Sequence, residues 1–169
     1  MIETDRLNLR LFDTNDSAFV FRLMNEPDWL RFIGDRGINS IDDAVVCIRD
    51  RLIASFAESG IGMYLVELKD TRVPVGMCGL IDRDSIEGID LGFALLKEYE
   101  GNGYAYESAA AVMQNVPVEL GIEKLSAITD SENESSIRLL EKLGFEFLRM
   151  VSVGDDQEPI KLYETRIDV

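Results

Sequence analysis

The fold of this 169-residue chain follows from one stretch, residues 89–107, which reads IDLGFALLKEYEGNGYAYE. Residues 89–96 are near-continuously apolar after Asp90, a pattern that is typical of a strand at the centre of a sheet. The strand leads into Gly101-Asn102-Gly103 and then into a helix predicted over residues 104–116. A central strand that passes through a glycine loop into a helix predicts a ligand site at the loop.

The loop Gly101-Asn102-Gly103 has the chemistry of an anion site. Glycines let the backbone turn tightly and approach a ligand closely. The first amides of a helix have no partner inside it, and the helix dipole adds a partial positive charge there. We therefore expect these amides to bind a pyrophosphate, although the same residues also suit an ordinary strand-to-helix turn. A dinucleotide fingerprint would need a glycine at Tyr106, and no Gly-Lys-Ser/Thr of a P-loop occurs.

The patterns outside this stretch predict one mixed α/β layer architecture rather than regular βαβ alternation. Ser40 opens a helix as its N-cap, and Gly60 ends that helix. Pro117 is expected to break or kink the helix that begins at Tyr104. Strands are predicted over residues 7–11, 63–68, 75–81, 89–96, 124–129, 145–153 and 160–167, and further helices over 16–24 and 134–143.

The charge and composition exclude several classes of function. A net charge of −15 argues against binding to nucleic acid, whose phosphates would be repelled. The same charge suits a cationic partner, such as an amine or a basic protein, or serves solubility alone. The chain has no histidine, which excludes Ser-His-Asp and Cys-His catalysis and His-ligated metal sites. A general base must then be Asp, Glu, Tyr, a thiolate or a relayed water, and no metal is implied.

The length favours a single domain over residues 1–169. No apolar run approaches the ~20 residues that a membrane-spanning helix needs, and the first residues do not resemble a signal peptide. Cys47 and Cys78 lie in apolar patterns and are expected to be buried free thiols. These features favour a cytoplasmic protein without a membrane partner.

Three segments together resemble the GNAT acetyltransferases, and especially their ribosomal-protein acetyltransferase (RimJ/RimL-like) branch. Residues 101–108 match that branch's Gly-x-Gly-Tyr-Ala-x-Glu-Ala loop, apart from Ser108 at its end. Residues 129–145 match its signature of a strand, Asn-x-x-Ser, a helix and Gly-Phe, and residues 4–10 are similar to its opening. The resemblance implies a mostly antiparallel, twisted sheet with helices on both faces and two splayed central strands.

The resemblance also implies that acetyl-CoA is the co-substrate and lies in the V between the two splayed strands. These strands would be those of residues 93–95 and 124–129. Backbone groups of Phe93 and Leu95 would hold the pantetheine arm, and Asn133, which also suits a plain helix N-cap, would fix the arm from the other side. Backbone amides would bind the pyrophosphate at Gly101, Asn102, Gly103, Tyr104 and Ala105.

The loop departs from the family pattern at Glu98, Glu100 and Asn102, where basic, amide or aromatic residues are common. Two carboxylates beside a pyrophosphate would weaken its binding by like-charge repulsion, which solvent screening limits. Three cations could supply positive charge to the CoA phosphates, or are plain surface groups: Lys97, Arg138 and Lys142.

Candidate catalytic residues follow from attack of an amine on the acetyl thioester. Many family members use a tyrosine to protonate the leaving thiolate, but that position is Leu140, and Ser136 is the proposed substitute. Candidates for a general base are Asp90, Glu87 and Asp155, the last near where ribosomal-protein acetyltransferases place a carboxylate. Each of these acids also suits a plain surface role.

Three hypotheses about function remain at this point. The first is an N-acetyltransferase that acts on a primary amine: a protein N-terminus, a polyamine or another small cationic amine. The second is a non-catalytic acyl-CoA-binding sensor, and the third an interaction module on the same fold. The sequence leaves the acceptor unidentified and a homodimer open.

Overall fold

The computed structural model describes residues 1–153 and 158–167. Eight strands form one sheet in the order β1-β2-β3-β4-β5-β6-β8-β7. Every neighbouring pair is antiparallel except β5 and β6, which are parallel. The strands are β1 (Ile2–Glu3), β2 (Leu7–Arg10), β3 (Met63–Leu68), β4 (Pro74–Asp82), β5 (Ile89–Leu95), β6 (Lys124–Thr129), β7 (Glu146–Val151) and β8 (Ile160–Arg166).

Helices cover both faces of the sheet, as predicted. On one face α5 and α6 pack on the sheet through buried apolar residues that include Val112 and Leu140. On the other face a second cluster joins Val20, Trp29 and Ile48 of the first helices to Leu65 and other sheet residues. The helices are α1 (Ser17–Leu23), α2 (Pro27–Phe32), α3 (Ile41–Cys47), α4 (Ala54–Ser59), α5 (Tyr104–Leu120) and α6 (Glu134–Lys142).

The segment between α3 and α4 continues the helix as a π-helix over Ile48–Ile53. The boundaries of this long helix confirm the predicted signals. The Ser40 side chain accepts a hydrogen bond from the Asp43 amide at its start, and Gly60 ends it with a left-handed φ of 72°. Cys47 and Cys78 are both free and buried, as predicted. No helix in the described part of the chain is long and apolar enough to cross a bilayer.

Two predictions about helices were wrong. The chain forms an additional helix, α2, after Pro27, because proline at the first helical position is preorganised and needs no amide partner. Pro117 does not break α5, which ends only at Leu120. The Pro117 carbonyl still accepts bonds from the amides of Gly121 and Ile122, so the last turn closes around the proline.

The central strands β5 and β6 separate, and this opening positions the site. Their parallel pairing consists of Ile89 with Leu125 and Asp90 with Ser126. Beyond these pairs β5 continues alone on this side, while its other edge stays paired with β4 up to Leu95. The structure thus has the two splayed central strands that the resemblance implied.

Candidate active site

A cleft of about 1040 Å³ opens beside β5, the glycine loop and the first turns of α5 and α6, and extends to α2. Its lining includes the β5 residues Phe93 and Leu95, the loop residues Gly101 and Gly103, and Ser136 of α6. The cleft therefore runs from the glycine loop along β5 to α2, and no residue of β6 is among the described residues that line it.

The glycine loop presents an open array of amides. Gly101 and Gly103 have φ values of 76° and 81°, in the left-handed region that favours glycine. The first bond of α5 runs from the Glu107 amide to the Gly103 carbonyl, at 3.0 Å. Among the described residues, no acceptor is found for the amides of residues 101–106. An added Cβ at Gly101 would meet nothing within 4 Å. The loop thus has unpaired donors and open space, which is what an anion site requires.

Not every loop residue that the sequence predicted for binding faces the cleft. Gly101, Gly103, Tyr104 and Ala105 line it, whereas Asn102 is not among the lining residues. The Asn102 side chain donates to the carbonyls of Tyr99 and Glu100, both at 3.2 Å. The Asn102 side chain therefore shapes the turn, and only its backbone amide is available to a ligand.

The two acidic residues of the loop are each paired with a cation. Glu98 lies 2.7 Å from Arg22, and Glu100 lies 2.9 Å from Lys97. Asp28 also contacts the Lys97 ammonium, at 2.7 Å. Asp28 and Glu100 together raise the pKa of Lys97. The repulsion expected from Glu98 and Glu100 is thus reduced by neutralisation within the protein, in addition to solvent screening.

The three cations that the sequence proposed for CoA phosphates have protein partners. Besides Lys97, Arg138 pairs with Glu134 at 3.2 Å, and the Lys142 ammonium lies 4.3 Å from the centroid of the Tyr106 ring. A surface pair of this kind is weak and breaks readily. The backbone amides are therefore the main phosphate-binding groups that the loop offers.

Phe93 and Leu95 direct backbone groups towards the gap between β5 and β6. The Leu96 amide donates to Val75 on the β4 side, at 2.9 Å. Because the direction of backbone groups alternates along a strand, those of Leu95 and Phe93 point to the opposite side. That side has no strand partner beyond Asp90. These residues thus provide free N–H and C=O groups for an extended amide-containing arm.

Asn133 and Ser136 meet at the start of α6, on the cleft wall. The Asn133 side chain accepts from the Ser136 amide at 3.2 Å, which confirms its suitability as the helix N-cap. No hydrogen bond is formed by the Ser136 hydroxyl with any other described residue. The hydroxyl therefore remains available to a ligand.

The candidate bases lie in different places. Asp90 is 1% exposed, and the Arg83 Nε donates to both of its carboxylate oxygens at 3.0 Å. Burial raises the pKa of Asp90, although the charge and hydrogen bond of Arg83 act in the opposite direction. Neither Asp90 nor the exposed Glu87 is among the residues that line the cleft. Asp155 lies outside the described residues.

The end of the cleft beside α2 is lined by Trp29 and Glu26, among other residues. Trp29 lines the cleft and also belongs to the second apolar cluster. Its indole Nε1 is buried and has no partner within the described part of the chain. Glu26 was missed by the sequence reasoning, because nothing local distinguishes it from the other acids. It lines the cleft with a side chain only 18% exposed, and its nearest cation, the Arg22 Nε, is 3.9 Å away.

Comparisons with known proteins agree with this geometry. Residues 6–146 match the family model of the acetyltransferase (GNAT) domain. The chain is 28% identical over 147 residues to the uncharacterized N-acetyltransferase YoaA of Bacillus subtilis, covering 86% of this chain and 82% of that protein.

Two solved structures illustrate the likeness in fold. An acetyltransferase from Agrobacterium tumefaciens has a TM-score of 0.82 at 21% identity, with 97% of this chain and 92% of that one covered. RimL, a ribosomal L7/L12 alpha-N-protein acetyltransferase in complex with coenzyme A, has a TM-score of 0.74 at 15% identity, with 98% and 96% covered.

Proposed function

The chain belongs to the GNAT acetyltransferase family, and from this premise we propose that it transfers the acetyl group of acetyl-CoA to a primary amine. The family membership makes it an acetyl-CoA-dependent acetyltransferase. The observation that carries the finer proposal is the gap between β5 and β6, which ends at a loop with six unpaired amides. We assign the activity to a single domain over residues 1–169.

The described residues fit acetyl-CoA as a co-substrate. The amides of residues 101–106 would bind the diphosphate, since each offers an unpaired donor at a helix N-terminus. The free backbone groups of Phe93 and Leu95 would pair with the amides of the pantetheine arm, much as a missing strand would. Asn133 and Ser136 would border the arm from the side of α6.

The transfer needs a neutral amine, a polarised carbonyl and a proton for the leaving sulfur. The amine nitrogen attacks the thioester carbon, the C–S bond breaks and a base takes the amine proton. A backbone N–H on β5 would stabilise the oxyanion. The Ser136 hydroxyl would pass a proton to the leaving thiolate and regain one through water from the protonated base, so that the amine proton ends on CoA. We place Ser136 in this role because its hydroxyl is unpaired at the cleft wall.

Asp90 and Asp155 remain the proposed bases. The raised pKa of Asp90 favours proton uptake, and its place where β5 and β6 part is near the predicted position of the acetyl group. Because Asp90 is buried, it would act through a water rather than by direct contact. An α-amine with a pKa of ~7.8 is neutral in about one molecule in seven at pH 7, so a weak or relayed base is sufficient for it.

We propose a cationic amine as the acceptor: a protein N-terminus, a polyamine or another small amine. The half-buried Glu26 carboxylate and the aromatic side chains of Trp29 and Phe32 line the same end of the cleft. A carboxylate with aromatic walls suits an ammonium group, through ion pairing and cation–π contact. The net charge of −15 would also attract such a substrate at long range.

The test is release of free CoA thiol when acetyl-CoA is mixed with a panel of amines: N-terminal peptides, polyamines and amino sugars. Thiol release above the rate of hydrolysis, with the acetylated amine found by mass spectrometry, supports the proposal. Binding of CoA without turnover on any amine would favour the alternative, a non-catalytic acyl-CoA sensor. Absence of both turnover and a thermal shift with CoA would leave only an interaction module.

A further inference from the structure

Arg6, which lies in the turn between β1 and β2, contacts the glycine loop. The Arg6 Nη1 donates to the Asn102 carbonyl at 2.9 Å. Its guanidinium lies over the Tyr104 ring, 4.7 Å from the centroid. Its Nη2 is 3.3 Å from the position that a Cβ on Gly103 would take. One side chain thus contacts Asn102 and Tyr104 and occupies the space beside Gly103 between them.

Glu107, in the first turn of α5, holds Arg6 in this place. Its carboxylate accepts from the Arg6 Nε at 2.7 Å, from the Arg6 amide at 3.0 Å and from the Thr4 hydroxyl at 2.6 Å. Burial opposes ionisation of Glu107, but these hydrogen bonds from Thr4 and Arg6 together lower its pKa. The carboxylate therefore stays charged at neutral pH, and the pair Arg6–Glu107 contributes no net charge to the loop.

The bond from Arg6 to Asn102 has a consequence for the amides. In a regular helix the Asn102 carbonyl would accept from the amide of residue 106, four positions later. Here the Arg6 guanidinium donates to that carbonyl instead, and the left-handed Gly103 interrupts the helix. The amide of Tyr106 is left unpaired, together with those before it.

We propose that Arg6, held by Glu107, is a positioning residue that keeps the glycine loop in its diphosphate-binding conformation. This inference rests on the proposed function, because it takes the loop as the diphosphate site. Arg6 acts on the shape of the loop rather than as a charge for the diphosphate, since Glu107 neutralises it. Loss of Arg6 then weakens binding of donors that contain a diphosphate and spares those that lack one.

The experiment compares acetyl-CoA with S-acetylpantetheine, which has the same arm and thioester but no diphosphate or nucleotide. Arg6→Gln should lower kcat/KM for acetyl-CoA about tenfold through KM, with kcat and the KM of the amine unchanged. Its kcat/KM for S-acetylpantetheine should equal that of the wild type. Equal losses with both donors, or no loss with either, would overturn the proposal. Arg49→Gln is the control, because it removes the same charge from an exposed pair with Asp50 far along the chain.

Glu107→Gln distinguishes a positioning role of Arg6 from a role as a positive charge. It also provides a second test if Arg6→Gln fails to fold. If Arg6 acted only as a charge, removal of the neighbouring carboxylate would tighten CoA binding. If it positions the loop, Glu107→Gln weakens CoA binding severalfold despite the gain in positive charge; tighter binding contradicts the proposal. Calorimetric titration with CoA gives this result without turnover. Wild type that fails to bind CoA would refute the proposed function itself, whereas equal binding by wild type and both variants would refute only the role of Arg6.

Discussion

Asp90 on β5 lies opposite Ser126 on β6 in the last parallel pair that joins the two central strands. Both residues are 1% exposed. Arg83 donates to both oxygens of Asp90, whereas the Ser126 hydroxyl has no partner among the described residues. A buried carboxylate and a free hydroxyl therefore mark the point where pairing ends and the gap between β5 and β6 begins.

Replacement of Asp90 tests its role as a relayed base. Asp90→Asn should lower kcat about 100-fold with little change in CoA affinity, because base catalysis contributes about 10²–10⁴ in rate. In the wild type, activity that needs the carboxylate rises with pH through its raised pKa, and this acid limb should vanish in the variant. A pH–rate profile checks both. The control is Asp84→Asn, which replaces an exposed acid in the connection between β4 and β5. An unchanged profile excludes Asp90 and directs the search to Asp155→Asn.

Gly103→Val should abolish CoA binding. A β-branched residue is strained at a φ of 81°, and its Cβ would come within 3.3 Å of Arg6. Gly121→Val is the matched control: it imposes the same kind of strain at a φ of 66°, at the far end of α5 and away from the loop. Calorimetry with CoA and thermal unfolding of both variants separate a binding defect from loss of stability. Tight binding by folded Gly103→Val would refute the loop as the diphosphate site.

Ser136→Ala should lower turnover more than acetyl-CoA affinity, because the hydroxyl serves the leaving thiolate rather than the bound ground state. The hydrogen bond that the Ser136 backbone amide donates to the Asn133 side chain does not involve the hydroxyl, so the variant retains it. Ser85→Ala, at an exposed serine that is not among the cleft-lining residues, is the control. The measurements are kcat and the Kd of acetyl-CoA. Unchanged kcat in the Ser136 variant would remove this residue from the mechanism.

Glu26→Gln should raise the KM of a cationic amine about tenfold and leave the KM of acetyl-CoA unchanged, since it removes a charge-assisted hydrogen bond to the acceptor. The substitution keeps the shape of the side chain, and Arg22 loses only a contact at 3.9 Å. Steady-state kinetics with each substrate varied in turn provide the readout. Glu58→Gln, at an exposed acid in α4, controls for the change in net charge. Equal effects of the two substitutions would argue against a specific acceptor contact.

Arg10→Met should destabilise the fold by about 3–5 kcal/mol at pH 7, because it leaves the buried Asp16 without its cation and leaves the buried Glu67 with Arg72 alone. Arg10 lies 2.8 Å from Asp16 and 2.9 Å from Glu67, which are 7% and 4% exposed at their side chains. Burial opposes ionisation of Glu67, but hydrogen bonds from Arg72 and Arg10 lower its pKa. The stability that this charge provides is present above its ordinary pKa and is lost as the pH falls through the lowered value.

The difference in unfolding free energy between Arg10→Met and wild type should therefore shrink in acid. Urea unfolding at pH 7 and in steps down to below about pH 4, the ordinary pKa of a glutamate, measures this. Arg49→Met, which affects an exposed pair, should cost less than about 1 kcal/mol at each pH. A constant difference across this range would mean that Arg10 stabilises the protein by packing alone.

Local signals in the sequence predicted much of the fold and part of the site. The caps at Ser40 and Gly60, the hairpin of β3 and β4, and the loop with two left-handed glycines all depend on residues a few positions apart. Helix α2 was missed although Pro27 is its first residue, a position where proline is favoured. The predicted roles of Ser136, Asp90 and the loop residues stay predictions until the variants are measured.

Residues close in the chain were thus enough to predict the strand, the glycine loop and the helix that build the proposed diphosphate site, because backbone preferences and capping act over a few residues. The folded chain added what such preferences do not contain. Arg6 and Glu107 meet across 101 positions, and Glu26 and Trp29 reach the cleft from α2 and the turn before it. Strand order and packing bring these groups together. Their burial, and the neutralisation of Glu107 by Arg6, arise only when segments that are distant in the chain pack into one low-dielectric environment.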